Sequence, residues 1–457
     1  RQASDPDQCG HDLARIESDW RDRSVCWQRL VDGASLNAPT RPNPHSSFSF
    51  PQRKDTFEMD INNHVIIAGA GPVGCTAALI LAQAGVKVTL LESAASLIED
   101  LRASTFHPPS LDMLDELGVT EKLLPQGLIA SKYQYRDRTS GAYAEFDLGV
   151  LSDITKHPYR LQCEQYKLTR TIKPMLEETG NADIRFSTAV TSVTNHADHV
   201  EVTIDGPEGK DTLSGRYLIG SDGARSEVRK EMNIEMEGFT YPELFLVVST
   251  DFPFEDHLPN LSHVNYISDS EEWCTILRVP GFWRVLFPTI EGTSEDELLA
   301  PDKIEERMQR LVKSDAPYNI VHTTLYNIHQ RVAKQYRVGN VLIAGDAAHL
   351  NNPLGGMGMN GGLHDVFNLC PKMIDIIQNG ASEDLLDLYE RQRRDVTIDF
   401  IQSQTIQNKK NIEQMTQEQR LEHIDGLNKM IADPALAAAF LSRNNMFDAL
   451  KRAAEIT

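Results

Sequence analysis

The chain has 457 residues, 40% of them hydrophobic, and carries 45 Lys plus Arg against 66 Asp plus Glu, a formal net charge of −21. So acidic a surface repels phosphate backbones and anionic headgroups, which excludes nucleic acid and a membrane surface as expected partners. The six cysteines, at 9, 26, 75, 163, 274 and 370, have neither CxxC nor zinc-ligand spacing, so the expectation is free thiols in a reducing compartment and no metal site.

Residues 1–58 differ from the rest. Asp12 to Leu30 has an apolar side built from Leu13, Ile16, Trp20, Trp27 and Leu30, and a Pro-, Ser- and Asn-rich stretch follows from Ala38 to Phe50. Two readings stay open: a docking or homodimer-forming extension, and a poorly ordered appendage. The opening Arg-Gln-Ala-Ser-Asp-Pro-Asp lacks the apolar run of a secretory signal. The most apolar long stretch, Val73 to Val86, has the length of a buried helix rather than a membrane span. A soluble, cytoplasmic protein is expected.

At His64 the pattern changes. A β-branched run to Ala68, a glycine turn, an apolar helix to Ala84 and a second strand from Val86 to Leu91 make a strand–helix–strand unit. Helices are predicted over Ser110–Leu117 and Tyr166–Glu178, and strands over Ile184–Phe186, Val190–Val193, Val200–Ile204 and Tyr217–Gly220. Four alternating, aromatic-rich segments, Leu244–Thr250, His263–Ser268, Trp273–Val279 and Trp283–Pro288, predict an antiparallel sheet. A further strand–helix pattern spans Val341 to Asn368, and Asp384 to Ile456 is mostly helical.

Gly69-Ala70-Gly71-Pro72-Val73-Gly74 is a G-x-G-x-x-G run between a strand and a helix, with Glu92 at the end of the next strand, 23 positions after Gly69. Gly69 permits a tight turn, Gly71 lets backbone approach a pyrophosphate, and Gly74 lets helix and strand pack. The helix N-terminus offers N–H donors to the diphosphate, and Glu92 suits ribose hydroxyls. This fingerprint fits NAD and FAD equally.

Two later motifs separate them: Gly220-Ser221-Asp222-Gly223-Ala224-Arg225-Ser226 with Val228-Arg229, and Gly345-Asp346-Ala347-Ala348-His349 running on to Pro353-Leu354-Gly355-Gly356-Met357-Gly358-Met359-Asn360. With the first glycine run, and in this order from about residue 60 to 395, they resemble the three signatures of the para-hydroxybenzoate hydroxylase-like flavoprotein monooxygenases. Asp346, at a strand end, is placed to accept from a polyol such as the ribityl chain of FAD, which NAD lacks. Gly355, Gly356 and Gly358 remove side chains where a flat ring meets backbone, and a helix starting near Asn360 points N–H groups at the flavin pyrimidine. The resemblance further implies that Arg102 stands near the FAD phosphate or ribityl, that Gln165 contacts flavin, that Asp222 serves FAD and the nicotinamide cofactor, and that the Pro353 carbonyl faces the reactive edge. The expected cofactor set is therefore Gly69, Gly71, Pro72, Val73, Gly74, Glu92, Arg102, Gln165, Asp222, Asp346, Gly355, Gly356, Gly358, Met359 and Asn360.

The implied fold is α/β: a Rossmann-like FAD-binding domain (60–125, 157–235 and 338–395), an inserted antiparallel-sheet substrate domain (126–156 and 236–337) and C-terminal helices (396–457). The implied reaction is hydroxylation of a small phenolic or other electron-rich aromatic substrate with NADH or NADPH, visiting transiently, and O2, through a flavin hydroperoxide. The absence of a second G-x-G-x-x-G run agrees with one resident dinucleotide. Catalytic candidates are Pro353, His263 and Tyr266, with Asn265, Trp273, Trp283 and Arg284 nearby; alternation puts His263 and Asn265 on one strand face and Tyr266 on the other. A flavin-dependent halogenase would need a Trp-x-Trp-x-Ile-Pro signature, whose second Trp is missing from Phe282-Trp283-Arg284-Val285-Leu286-Phe287-Pro288. A flavoprotein dehydrogenase or a non-catalytic FAD-binding protein remain the alternatives.

Overall fold

Four strands buried on nearly every side chain form the centre of the six-stranded first sheet in this computed structural model, which describes residues 61–99, 101, 103–138, 141–269, 272–412 and 417–457. The expected N-terminal extension 1–58 and Arg102 lie outside the described residues. In spatial order the sheet runs Arg337–Val338, Val341–Ile343, Tyr217–Gly220, His64–Ala68, Lys87–Leu91 and Ala182–Arg185, all parallel except the first. A parallel sheet is covered on both faces, which is why His64–Ala68 is an unbroken buried run instead of an alternating one. The helices Pro72–Gln83, Gln165–Thr179 and Met357–Asn379 supply cover.

Because the strands run the same way, their carboxyl ends share one edge. Ala68 stands level with Gly220, and Gly220 with Ile343. The residues that follow are Gly69, Ser221 and the Ala344–Gly345 turn, so three motifs far apart in sequence leave the sheet side by side.

The second sheet has eight strands, ordered His349–Leu350, Ile320–Ala333, Met236–Thr250, Phe282–Pro288, Cys274–Val279, Val264–Ser268, Lys132–Asp137 and Gly141–Asp147. The four aromatic-rich segments all lie in it. Sequence alternation missed its longest members' extent: Met236–Thr250 starts eight residues before the expected Leu244, and Ile320–Ala333 was not predicted. Both are half-exposed for much of their length, so no clean apolar alternation marks them, and their pairing register breaks between Thr240 and Leu244. One face packs on a core of Leu246, Trp283, Val285, Phe287, Met308 and Tyr318.

The tail is helical as expected, in segments from Asp384–Val396 to Phe447–Glu455, with a π-helical turn at Thr397–Gln402. Leu427, Leu441 and Phe447 from these helices close a core against Tyr133, Phe146 and Val264 of the second sheet. Among the described residues no helix is long and apolar enough to cross a membrane, and Cys75, Cys163, Cys274 and Cys370 are free and buried.

Candidate functional site

A cavity of about 850 Å³ lies between the carboxyl edge of the parallel sheet and one face of the antiparallel sheet, at the upper end of the roughly 300–1,000 Å³ usual for cofactor and ligand sites. Its walls include Gly69, Gly71, Pro72, Val73, Glu92, Gln165, Asp222, Asp346, Pro353, Gly355, Gly356, Gly358, Met359 and Tyr266. All three glycine–acid turns therefore open into one space.

Direct bonds hold the turns together. The Ser221 hydroxyl donates to the Ala68 and Gly69 carbonyls at 2.9 and 3.2 Å, joining the second motif to the first. The Arg229 guanidinium donates to the Ala347 and Ala224 carbonyls at 2.9 and 2.8 Å, joining the second to the third. Glu92 accepts from the Ala70 N–H at 2.9 Å and so also braces the first turn.

The three glycines of the first turn do different work. Gly69 sits at φ +97°, and a Cβ there would lie 2.5 Å from the Ser221 carbonyl oxygen. A Cβ on Gly74 would lie 1.9 Å from the Gly69 oxygen, so Gly74 serves the close helix–strand approach and does not line the cavity. A Cβ on Gly71 would meet nothing within 4 Å: it would stand in open space beside the start of the helix, where the backbone N–H groups of the first turn have no intrahelical acceptor. That open cradle, next to carboxylates at Glu92 and Asp346, is the observation that fits a dinucleotide.

The third turn reverses at Gly355 and Gly356, at φ +100° and +69°, and its helix starts at Met357, three residues before the expected Asn360. The glycine pair, able to take left-handed backbone, ends the turn; Asn360 falls within the first helical turn. Its side chain is fully buried and fully engaged, donating to the Thr105 and Gly356 carbonyls at 2.8 and 2.7 Å and accepting from the His107 N–H at 2.9 Å. Asn360 thus clamps the loop from behind and is not a cavity-lining residue. The His107 imidazole donates to the Gly355 carbonyl at 2.8 Å; burial, then Arg160, drives it well below the ordinary histidine range, so it is neutral at pH 7.

Asp222 lines the cavity, but its carboxylate accepts from the Glu227 and Val228 N–H groups at 2.7 and 3.1 Å and from Ser226, capping the short helix Glu227–Glu231. Behind the third turn, fully buried Asp365 accepts from the Gly345 N–H at 2.9 Å, from His349 at 2.8 Å and from Arg393 at 2.8 Å. Burial pushes the Asp365 carboxyl up, but the imidazole and guanidinium beside it win and hold it at about 2.

The antiparallel sheet contributes Val247, Val264, Tyr266, Thr275, Leu277, Arg284, Leu286 and Tyr326 to the opposite wall. Strand alternation places Tyr266 there, stacked on Tyr135 with ring centroids 5.2 Å apart. His263 is a correction: it points off the other strand face, with Nδ1 3.0 Å from the Ile129 carbonyl, outside the cavity. Asn265, Trp273 and Trp283 also lie outside the cavity lining, Asn265 donating to the Ser262 carbonyl at 2.6 Å. Trp273 packs edge-on to Phe245, and the Trp283 indole donates to Glu255 at 2.7 Å. Arg284 is 4% exposed and is the cationic side chain of this wall, whose other members are aliphatic, aromatic or, at Thr275, hydroxylated.

Sequence reasoning did not find Arg160, Tyr326, Thr275 or Asn351, which line the cavity too. Arg160 is 3% exposed, donates to Asn445 at 2.9 Å and lies over the Tyr133 ring at 4.8 Å. No local motif surrounds it; a tail residue 285 positions away completes its setting.

Fold and cavity together define a flavin-type dinucleotide enzyme with an apolar chamber facing the reactive loop. The FAD binding domain family matches residues 62–404. Para-nitrophenol 4-monooxygenase of Pseudomonas sp. (strain WBC-3) is 33% identical over 348 residues, 75% of this chain and 85% of that protein. The 6-hydroxy-3-succinoylpyridine 3-monooxygenase of Pseudomonas putida (strain DSM 28022 / S16) is 33% identical over 361 residues, 78% of this chain and 90% of the relative. The crystal structure of p-nitrophenol 4-monooxygenase from Pseudomonas putida DLL-E4 superposes with a TM-score of 0.80 at 30% identity, covering 84% of this chain and 97% of that one. The chain belongs to the FAD binding domain family and is an FAD-dependent aromatic monooxygenase of class A.

Proposed function

We propose that the protein hydroxylates a small phenol, taken as its phenolate, with NADH or NADPH as reductant and O2 as co-substrate. The observation that carries this reading is the meeting of the three glycine–acid turns with a largely aromatic and aliphatic sheet wall that holds the buried Arg284. In this reading the first turn and Glu92 hold the adenosine diphosphate end of FAD, Asp346 and Gln165 hold its ribityl and ring, and the Pro353–Met359 loop borders the ring. Residues 60–125, 157–235 and 338–395 then serve the cofactor, and 126–156 and 236–337 the substrate. FAD held there would pass the two electrons of NAD(P)H to O2 and so activate it, one oxygen atom of O2 entering the ring and the other leaving as water.

The chain's own residues set the conditions. Val247, Val264, Leu277, Leu286 and Tyr326 keep bulk water from the chamber and position a flat ring. The Arg284 guanidinium favours an anionic substrate, and a phenolate is the form that pushes electron density into the ring carbon attacked. The Thr275 hydroxyl, buried and without a hydrogen-bond partner among the described residues, offers a second polar contact. Buried free thiols and NAD(P)H use suit the cytoplasm.

Purified protein is expected to be yellow and to oxidise NADH or NADPH faster when a nitro-, chloro- or carboxy-substituted phenol is added, with hydroxylated product equal to the nicotinamide consumed. A yellow protein indifferent to every phenol tested overturns the reading. Arg284→Met is expected to raise KM for an ionised phenol roughly 10- to 100-fold, the loss of one charge-assisted contact. FAD content should stay at the wild-type level, and an unchanged KM removes Arg284 from the substrate site.

A further inference from the structure

Away from the cavity, the strands Ala189–Asn195 and Val200–Gly206 are joined by His196-Ala197-Asp198-His199. The His196 N–H donates to the His199 carbonyl at 2.9 Å and closes the turn. The two imidazoles leave it on the same side and stack, centroids 4.4 Å apart and planes 15° apart. Glu201, two residues further, brings Oε2 to 3.2 Å from His196 Nε2. One ligand atom from each of the three lies within 4.8 Å of the others, and among the described residues this is the one group of three or more His, Cys, Asp or Glu so arranged.

We propose that His196, His199 and Glu201 form a surface site for a divalent transition ion, Zn²⁺ or Ni²⁺. A tetrahedral set at about 2.0–2.1 Å from zinc keeps its ligand atoms roughly 3.3 Å apart, and the His196–Glu201 pair already has that spacing. The side chains are 39%, 27% and 44% exposed, so small rotations bring His199 in. Two imidazoles and a carboxylate suit zinc and nickel and disfavour magnesium. His199 Nδ1 donates to Asp198 at 2.8 Å, which leaves Nε2 as the lone-pair nitrogen; a carboxylate behind a histidine is the arrangement that orients metal-bound imidazoles.

The turn is also bolted to the chain leading to Asp346. Asn340 donates to the His196 carbonyl at 2.9 Å, and Asn195 donates to the Val338 carbonyl at 2.8 Å. Val341–Ile343 and the Gly345–Asp346 turn follow directly. An ion at the hairpin therefore ties this flank together and acts on stability, with no part in the oxygenation.

The test uses chelator-treated, FAD-loaded protein titrated with ZnCl2, read by calorimetry and thermal melting, with MgCl2 as comparison. Wild type is expected to bind Zn²⁺ at this hairpin and to melt roughly 5 °C higher at saturating ion, with no response to Mg²⁺. His196→Ala/His199→Ala should lose that binding and that rise, and Glu201→Gln and His199→Gln should each weaken binding about 10-fold or more. NAD(P)H oxidation and FAD content should match wild type in all variants, which reports their folding. Identical zinc isotherms and melting in wild type and the double variant, or no zinc binding by wild type, overturns the proposal.

Discussion

Gly71→Val should give a folded but colourless protein, with FAD affinity down at least about 100-fold, some 2.7 kcal/mol. Gly71 caps the helix Pro72–Gln83 with φ −72° and ψ −178°, backbone that any residue adopts. A Cβ there meets no protein atom within 4 Å, so stability without cofactor should be little changed. It would occupy the space a pyrophosphate needs beside the helix N-terminus. Gly74→Ala is the opposite case: its Cβ would sit 1.9 Å from a backbone oxygen, so loss of folding, and not of binding alone, is expected. Equilibrium FAD titration and thermal melting of the apoproteins separate the two. A Gly71→Val protein that binds FAD like wild type would place the diphosphate elsewhere.

Asp365→Asn should lower unfolding stability by about 3–5 kcal/mol at pH 7, because it leaves Arg393, 1% exposed in its side chain, without its buried counter-charge. FAD affinity should fall with it, since Asp365 also holds the Gly345 N–H just before Asp346. The pH dependence has a definite sign. The folded carboxyl is held at about 2 against an ordinary 3.8, so its contribution is complete above pH 4 and is lost as pH falls through 2. The gap between those two values corresponds to about 2 kcal/mol of stability. Urea unfolding from pH 7 to 2 should show the wild-type advantage over Asp365→Asn narrowing between pH 4 and 2; a constant gap would mean that Asp365 does not carry the charge.

Local signals explain what was legible in the chain. A buried parallel strand, a glycine turn and an apolar helix are adjacent in sequence, so the dinucleotide unit from His64 to Glu92 could be read directly. The Tyr266 side of its strand followed from period-two alternation, and the same rule set His263 opposite; the chemistry of an imidazole suggested catalysis, but the strand face decided against it. The long strands Met236–Thr250 and Ile320–Ala333 were only partly readable or unreadable, because partly exposed positions and a register break blur alternation. Asn360 illustrates another limit: a polar residue beside a glycine loop reads as a ligand contact, and only the packing around it reveals that protein groups consume all its hydrogen bonds.

The sequence by itself determined the dinucleotide unit, the chemical kind of each glycine–acid turn and their order along the chain, since glycine's freedom, helix termini and strand periodicity act over a few residues. Tertiary structure decided which side chains share the chamber. Arg160, Arg284, Thr275 and Tyr326 come from separate strands, and Asp365, His349 and Arg393 from separate elements; their meeting depends on strand register and helix docking, which no short window of sequence contains.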